Sequence, residues 1–142
     1  MAGIYIHIPF CRQACLYCNF HFSTSLRLKN DLINALLKEI TLCTVYNNDK
    51  SVETIYFGGG TPSLLQAETL NSILDALHQK FYIVADAEIT LEANPDDISA
   101  PQLAAWKSMG INRLSIGVQS FFEEDLKWMN RAHTAAQSFN ST

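Results

Sequence analysis

Three cysteines stand in one short stretch, Cys11-Arg12-Gln13-Ala14-Cys15-Leu16-Tyr17-Cys18, spaced C-x3-C-x2-C. They follow directly on the apolar run Ile4-Tyr5-Ile6-His7-Ile8. Soft thiolates at such spacing suit an iron–sulfur cluster. A four-iron cube needs four ligands, so three cysteines would leave one iron open to a small molecule. Zinc is the competing reading, with His21 or Cys43 as the fourth ligand. A disulfide is disfavoured: no signal peptide is read, so an oxidising compartment is not indicated. Cys43 reads as a small buried apolar residue at the end of a helix.

Other residues invite chemistry. Gly58-Gly59-Gly60-Thr61-Pro62 allows close backbone approach to a ligand, or simply a tight turn. It is no phosphate-binding P-loop, because no Gly-Lys-Ser/Thr follows. Glu92 ends an apolar run, so its carboxylate needs a partner: a structural cation or a ligand's ammonium or hydroxyl. Gln119 can donate and accept, for ribose hydroxyls or for a strand end. Tyr5 and His7 are as consistent with core packing as with a site. Trp106 and Trp128 read as helix packing.

The elements that must position these residues alternate strand and helix. Short apolar runs give strands at Ile4–Ile8, Thr54–Phe57, Glu88–Leu91 and Arg113–Gly117. Leu32, Ile33, Leu36, Leu37 and Ile40 form one helical stripe; Leu70, Ile73, Leu74, Leu77 and Phe81 form another. Ser99 and Gln102 make a capping box, Pro101 sits in the first turn and Gly110 follows the end. A fourth helix runs from about Phe122 to Met129, and Thr134 with Gln137 opens a fifth. The pattern is α/β with a parallel sheet and helices outside it. In such folds ligands gather at the carboxyl ends of strands, where every motif above falls, so one shared pocket is expected.

The motifs together carry a resemblance. C-x3-C-x2-C resembles the signature of the radical S-adenosylmethionine (SAM) superfamily. Tyr5-Ile6-His7-Ile8-Pro9-Phe10-Cys11, Gly58-Gly59-Gly60-Thr61-Pro62, Glu92-Ala93-Asn94-Pro95 and Ser115-Ile116-Gly117-Val118-Gln119-Ser120-Phe121 resemble, in order, the oxygen-independent coproporphyrinogen III oxidases and their HemW-type haem-chaperone relatives. The resemblance implies a [4Fe-4S] cluster on Cys11, Cys15 and Cys18, with SAM chelated at the open iron. It implies SAM contacts at Tyr5, Gly59, Gly60, Thr61, Glu92, Gln119 and Arg131, the last meeting the SAM carboxylate. Phe20 and Tyr17 would shield the cluster. It also implies reductive cleavage of SAM, so whether the chain is an enzyme stays open. The oxidases carry a further cysteine two residues after the third. Here that place holds Phe20, which resembles the chaperone branch. The implied partners are haem or porphyrinogen, an electron donor and a haem-accepting protein, with the haem-binding segments beyond residue 142.

The family's core is a partial (β/α)6 barrel. Residues 1–142 supply about four βα units, so the chain reads as its N-terminal part, truncated and with an open sheet edge. A net charge of −4 argues against a nucleic-acid surface. An apolar content of 48% supports a real core, and no run approaches a membrane span. Asn47-Asn48-Asp49-Lys50-Ser51 reads as a polar loop. A soluble, cytoplasmic protein is expected.

Overall fold

The computed structural model describes residues 2–43 and 51–142. Asn47–Lys50 of the expected polar loop lie outside the described residues. The elements run β1 (Ala2–Ile8), α1 (Lys29–Leu42), β2 (Val52–Gly59), α2 (Ala67–Lys80), β3 (Ile83–Ala93), α3 (Ala100–Ser108), β4 (Arg113–Ile116), α4 (Glu123–Trp128) and α5 (Ala135–Asn140). Short 3-10 turns at Pro62–Leu64 and Pro95–Asp97 follow β2 and β3.

The sheet has four strands in the order β1-β2-β3-β4, and each neighbouring pair is parallel. Strand order thus follows chain order, as in a barrel wall. Register places Ile6 opposite Phe57, Phe57 opposite Leu91 and Leu91 opposite Leu114. Side chains paired across strands share a face, so this row is apolar and packs toward the helices. The adjacent row is Tyr5, Tyr56, Thr90 and Arg113. Period-two alternation therefore splits the sheet into an apolar face and a polar face.

The apolar face meets the two stripes read from the sequence. Leu70, Ile73, Leu74 and Leu77 of α2 are buried, as are Ile33 and Ile40 of α1. Trp106 of α3 joins the same core at 1% exposure. At the start of α3 the Ser99 side chain accepts from the Gln102 amide, and Pro101 sits in the first turn. Gly110 takes the positive φ of +94° that a helix terminator needs. Thr134 and Gln137 form a complete capping box on α5.

Three expectations shift. β3 extends from Ile83 rather than Glu88, because the Val52–Ile83 pair continues the β2 ladder past a register irregularity. Trp128 is 74% exposed rather than packed, since the short α4 buries only Leu126. Cys43 is half-buried at the C-cap of α1 rather than enclosed. Among the described residues, no helix is long and apolar enough to cross a membrane.

Candidate functional site

The carboxyl ends of all four strands open into one cavity of about 330 Å³, within the range of small-molecule sites. Cys11, Cys15, Cys18, Gly59, Gly60, Thr61, Glu92, Gln119 and Arg131 all line it, joined by Tyr17, Phe20, Asn94, Ser115 and Gly117. Nine of the ten site residues expected from the sequence are thus brought together. Tyr5 is not among them. Its ring lies on the polar face of the sheet, 58% exposed, stacked on Tyr56 at 5.9 Å, and its hydroxyl lies 3.2 Å from His7 Nδ1. Strand alternation turns Tyr5 to that face, below the rim.

β2 ends in a backbone path that only glycine permits. Gly60 lies so close to Phe10 that a Cβ there would meet the Phe10 carbonyl oxygen at 2.5 Å. The Gly60 amide donates to Ile8 O and the Thr61 amide to Phe10 O, at 2.8 and 2.7 Å. These bonds seat the start of the cysteine loop on the glycine turn. Thr61 is buried, and its hydroxyl donates to Cys11 Sγ at 3.6 Å and accepts from Asn94 Nδ2 at 3.4 Å.

Glu92 points from the end of β3 across to β2. Its Oε1 accepts from Tyr56 OH at 2.7 Å and its Oε2 from the Gly59 amide at 3.1 Å. The hydrogen bond to Glu92 is the main reason the Tyr56 hydroxyl is held above its ordinary pKa; burial adds to it. The partners of Glu92 are thus neutral donors, not the structural cation considered above, and its charge faces the cavity.

Arg131 reaches in from beyond α4. Its Nη2 donates to Asn94 Oδ1 and Gly117 O, both at 2.8 Å. Its Nη1 donates to Cys15 Sγ and Tyr17 OH, both at 3.3 Å. Its Nε is buried without a partner. Gln119 sits on the exposed rim in a left-handed conformation, φ 63°. The cavity lining thus holds a carboxylate, a guanidinium and glycine backbone. That arrangement suits a zwitterionic ligand.

The thiols correct one expectation. All four cysteines are free, and Cys11, Cys15 and Cys18 face the same cavity. Yet among the described residues no group of three or more His, Cys, Asp or Glu side chains is placed to hold a metal ion. The [4Fe-4S] cluster on which the expected cofactor set is built does not fit this arrangement, nor does a structural zinc. Individual sulfurs are engaged elsewhere: Cys15 by the Arg131 guanidinium and Cys11 by Thr61. Burial raises the Cys11 thiol above its usual pKa against the lowering pull of the Thr61 hydroxyl, so the neutral thiol is favoured there. Phe20 is 74% exposed, so it borders the cavity without sealing it.

Sequence reasoning missed the residues that support this site: Tyr56 under Glu92, Asp97 under Arg12, and Asn130 on the Ala14 carbonyl. Each acts across a gap of 36 to 116 residues. No local pattern announces such pairs.

Comparison with known proteins agrees with the fold and the motifs. The radical SAM superfamily model matches residues 5–141. The chain is 43% identical over 134 residues to the haem chaperone HemW of Escherichia coli, covering 92% of this chain and 35% of that protein. It is 39% identical over 147 residues to an oxygen-independent coproporphyrinogen III oxidase of Bradyrhizobium diazoefficiens, covering 99% of this chain and 31% of that protein. The solved structure of coproporphyrinogen III oxidase (HemN) from Escherichia coli superposes with a TM-score of 0.88 at 32% identity, over 98% of this chain and 32% of that one. The chain spans about a third of the length of the curated relatives it matches. With four parallel βα units of the radical-SAM barrel type, it belongs to the radical SAM superfamily, near its HemW and coproporphyrinogen oxidase branch.

Proposed function

We propose that this chain is the N-terminal part of the core domain of a HemW-type haem chaperone, a protein that binds haem and passes it to an acceptor. The observation that carries the reading is Phe20, where the resembling oxidases have a further cysteine. The 43% identity to a haem chaperone supports it. SAM enters this reading as a ligand of the cavity and haem as cargo. The Glu92 carboxylate and Arg131 guanidinium in the cavity lining suit the ammonium and carboxylate of SAM, and Gln119 on the rim suits its ribose. Four free thiols agree with a reducing, cytoplasmic setting.

The second reading is an oxygen-independent coproporphyrinogen III oxidase, favoured by the TM-score of 0.88 to the enzyme of Escherichia coli. One pair of assays separates them. A full-length protein carrying this N-terminal part, side by side with the haem chaperone of Escherichia coli, is given haem, and separately coproporphyrinogen III with SAM and a reductant without oxygen. A bound-haem spectrum with no decarboxylated product is expected. Product formation without haem binding overturns the chaperone reading.

A further inference from the structure

The cysteine loop takes its shape from a distant segment. Asn130 Nδ2 donates to the Ala14 carbonyl at 2.7 Å. Gln13 Nε2 donates to Asn130 Oδ1 at 2.6 Å and to the Asn130 carbonyl at 3.1 Å. The Leu16 amide donates to the Met129 carbonyl at 3.1 Å. Four hydrogen bonds thus join residues 13–16 to residues 129–130.

Asn130 occupies an unusual backbone position. Its φ is 56°, and it terminates α4: its amide donates to Lys127 O, and the Arg131 amide donates to Leu126 O. This is a Schellman-type helix end, where glycine is the usual residue. Glycine would serve the backbone alone. Asparagine tolerates the left-handed region and adds an amide side chain. Here that amide is spent wholly on the cysteine loop. The next residue, Arg131, carries the guanidinium that donates to Cys15 Sγ.

We infer that Asn130 is a positioning residue: its side chain clamps residues 13–16 to the turn after α4 and so holds Cys15 against Arg131 on the cavity wall. The inference stands apart from the identity of the ligand, because every contact it uses lies within the chain.

Thiol alkylation tests it. Iodoacetamide labelling is followed cysteine by cysteine by peptide mass spectrometry, with Cys43 as the internal reference far from the clamp. Asn130→Gly keeps the left-handed turn and removes the side chain. Cys15 should react about five- to tenfold faster, the scale of losing one or two net hydrogen bonds. Cys43 should keep its wild-type rate. Asn130→Asp keeps an acceptor for Gln13 but loses the donor to Ala14, and should fall between the two. An unchanged Cys15 rate in Asn130→Gly overturns the proposal, as does equal acceleration at Cys43, which would mean general loosening. If Asn130→Gly does not fold, Gln13→Ala decides from the other side of the clamp: faster Cys15 supports it, and an unchanged rate overturns it.

Discussion

Arg12 donates its Nη2 to Asp97 Oδ1 at 2.6 Å, joining a half-exposed guanidinium to a carboxylate whose side chain is only 2% exposed. Ser63 Oγ donates to the other oxygen, Oδ2, at 2.6 Å. The cysteine loop, the turn after the glycine triplet and the turn after β3 thus meet at one buried carboxyl group. Despite both partners, burial wins, and the Asp97 pKa lies above its ordinary 3.8. Arg12 is too well solvated to offset the loss of hydration fully.

A pH dependence follows from that balance. With the folded-state pKa above the unfolded one, the folded state holds the Asp97 proton longer. Its contribution to stability is complete below about pH 3.8 and is lost as pH rises through the raised folded value. Asp97→Asn removes this titration. Urea unfolding at a series of pH values should show the variant gaining on the wild type as pH rises from the acid side. Parallel curves for the two proteins would refute the assignment.

Gly60 tests the seat of the cysteine loop. In Gly60→Ala the new Cβ would meet backbone atoms of Phe10, its oxygen at 2.5 Å and its nitrogen and carbonyl carbon at 2.9 Å. Backbone cannot swing aside as a side chain can. A loss of about 1–3 kcal/mol is expected, with Cys11 becoming more reactive as Phe10 is displaced. Gly110→Ala is the contrast: its nearest neighbour, Ile89 Cδ1, is 3.8 Å away, so only the strain at φ +94° remains. That variant should be destabilised too, by about 1–2 kcal/mol, but with Cys11 unaltered. Equal Cys11 reactivity in both variants would count against the seat.

How much of this was legible in the sequence follows from the range of each signal. Strand alternation, helical stripes and capping residues act within a few positions, so the four strands, the α3 caps and the α5 capping box were readable. The common strand-end location brought nine of ten site residues to one cavity. Tyr5 lies outside the cavity lining because of its height: it shares the polar face with Glu92 and Ser115, which do line it, but stands three residues before the end of β1. The metal expectation failed for a different reason. Spacing puts Cys11, Cys15 and Cys18 in one loop, but where their sulfurs point is set by Thr61 and Arg131, 50 and 116 residues away in the chain. Trp128 looked like packing only because the sequence could not show how little α4 buries.

The Tyr56–Glu92 pair sets up the carboxylate side of the cavity. Tyr56 OH donates to Glu92 Oε1 at 2.7 Å, and this bond is the first cause of the raised tyrosine pKa. In Glu92→Gln the phenolate of Tyr56 should form at lower pH than in the wild type, read as the difference between proteins with and without Tyr56→Phe. In Tyr56→Phe itself, the carboxylate loses one of its two donors and its fixed direction. On the SAM-binding reading proposed above, affinity by calorimetry should fall about five- to tenfold, the scale of one charge-assisted hydrogen bond. An unshifted phenolate in Glu92→Gln would remove Glu92 as the cause.

His133 supplies the opposite pH dependence. It is buried at 3% exposure, its Nε2 lies 3.0 Å from the Val118 carbonyl, and its Nδ1 is buried without a partner. The bond to Val118 requires the proton on Nε2, so a charged ring would place a second N–H where nothing accepts it. Burial accordingly lowers its pKa below the ordinary 6.5, and nearby Arg131 pushes the same way. Here the unfolded state binds the proton more readily. Stability is therefore complete above about pH 6.5 and is lost as pH falls through the lowered folded value. Because His133 lies two residues beyond Arg131, partial unfolding there should loosen the guanidinium and the Cys15 contact together. His133→Gln can keep a donor toward Val118 without titrating, and should flatten the loss of stability on the mildly acidic side. Imidazole proton resonances followed by NMR give the His133 pKa directly. A value at or above 6.5 would overturn this account of the buried ring.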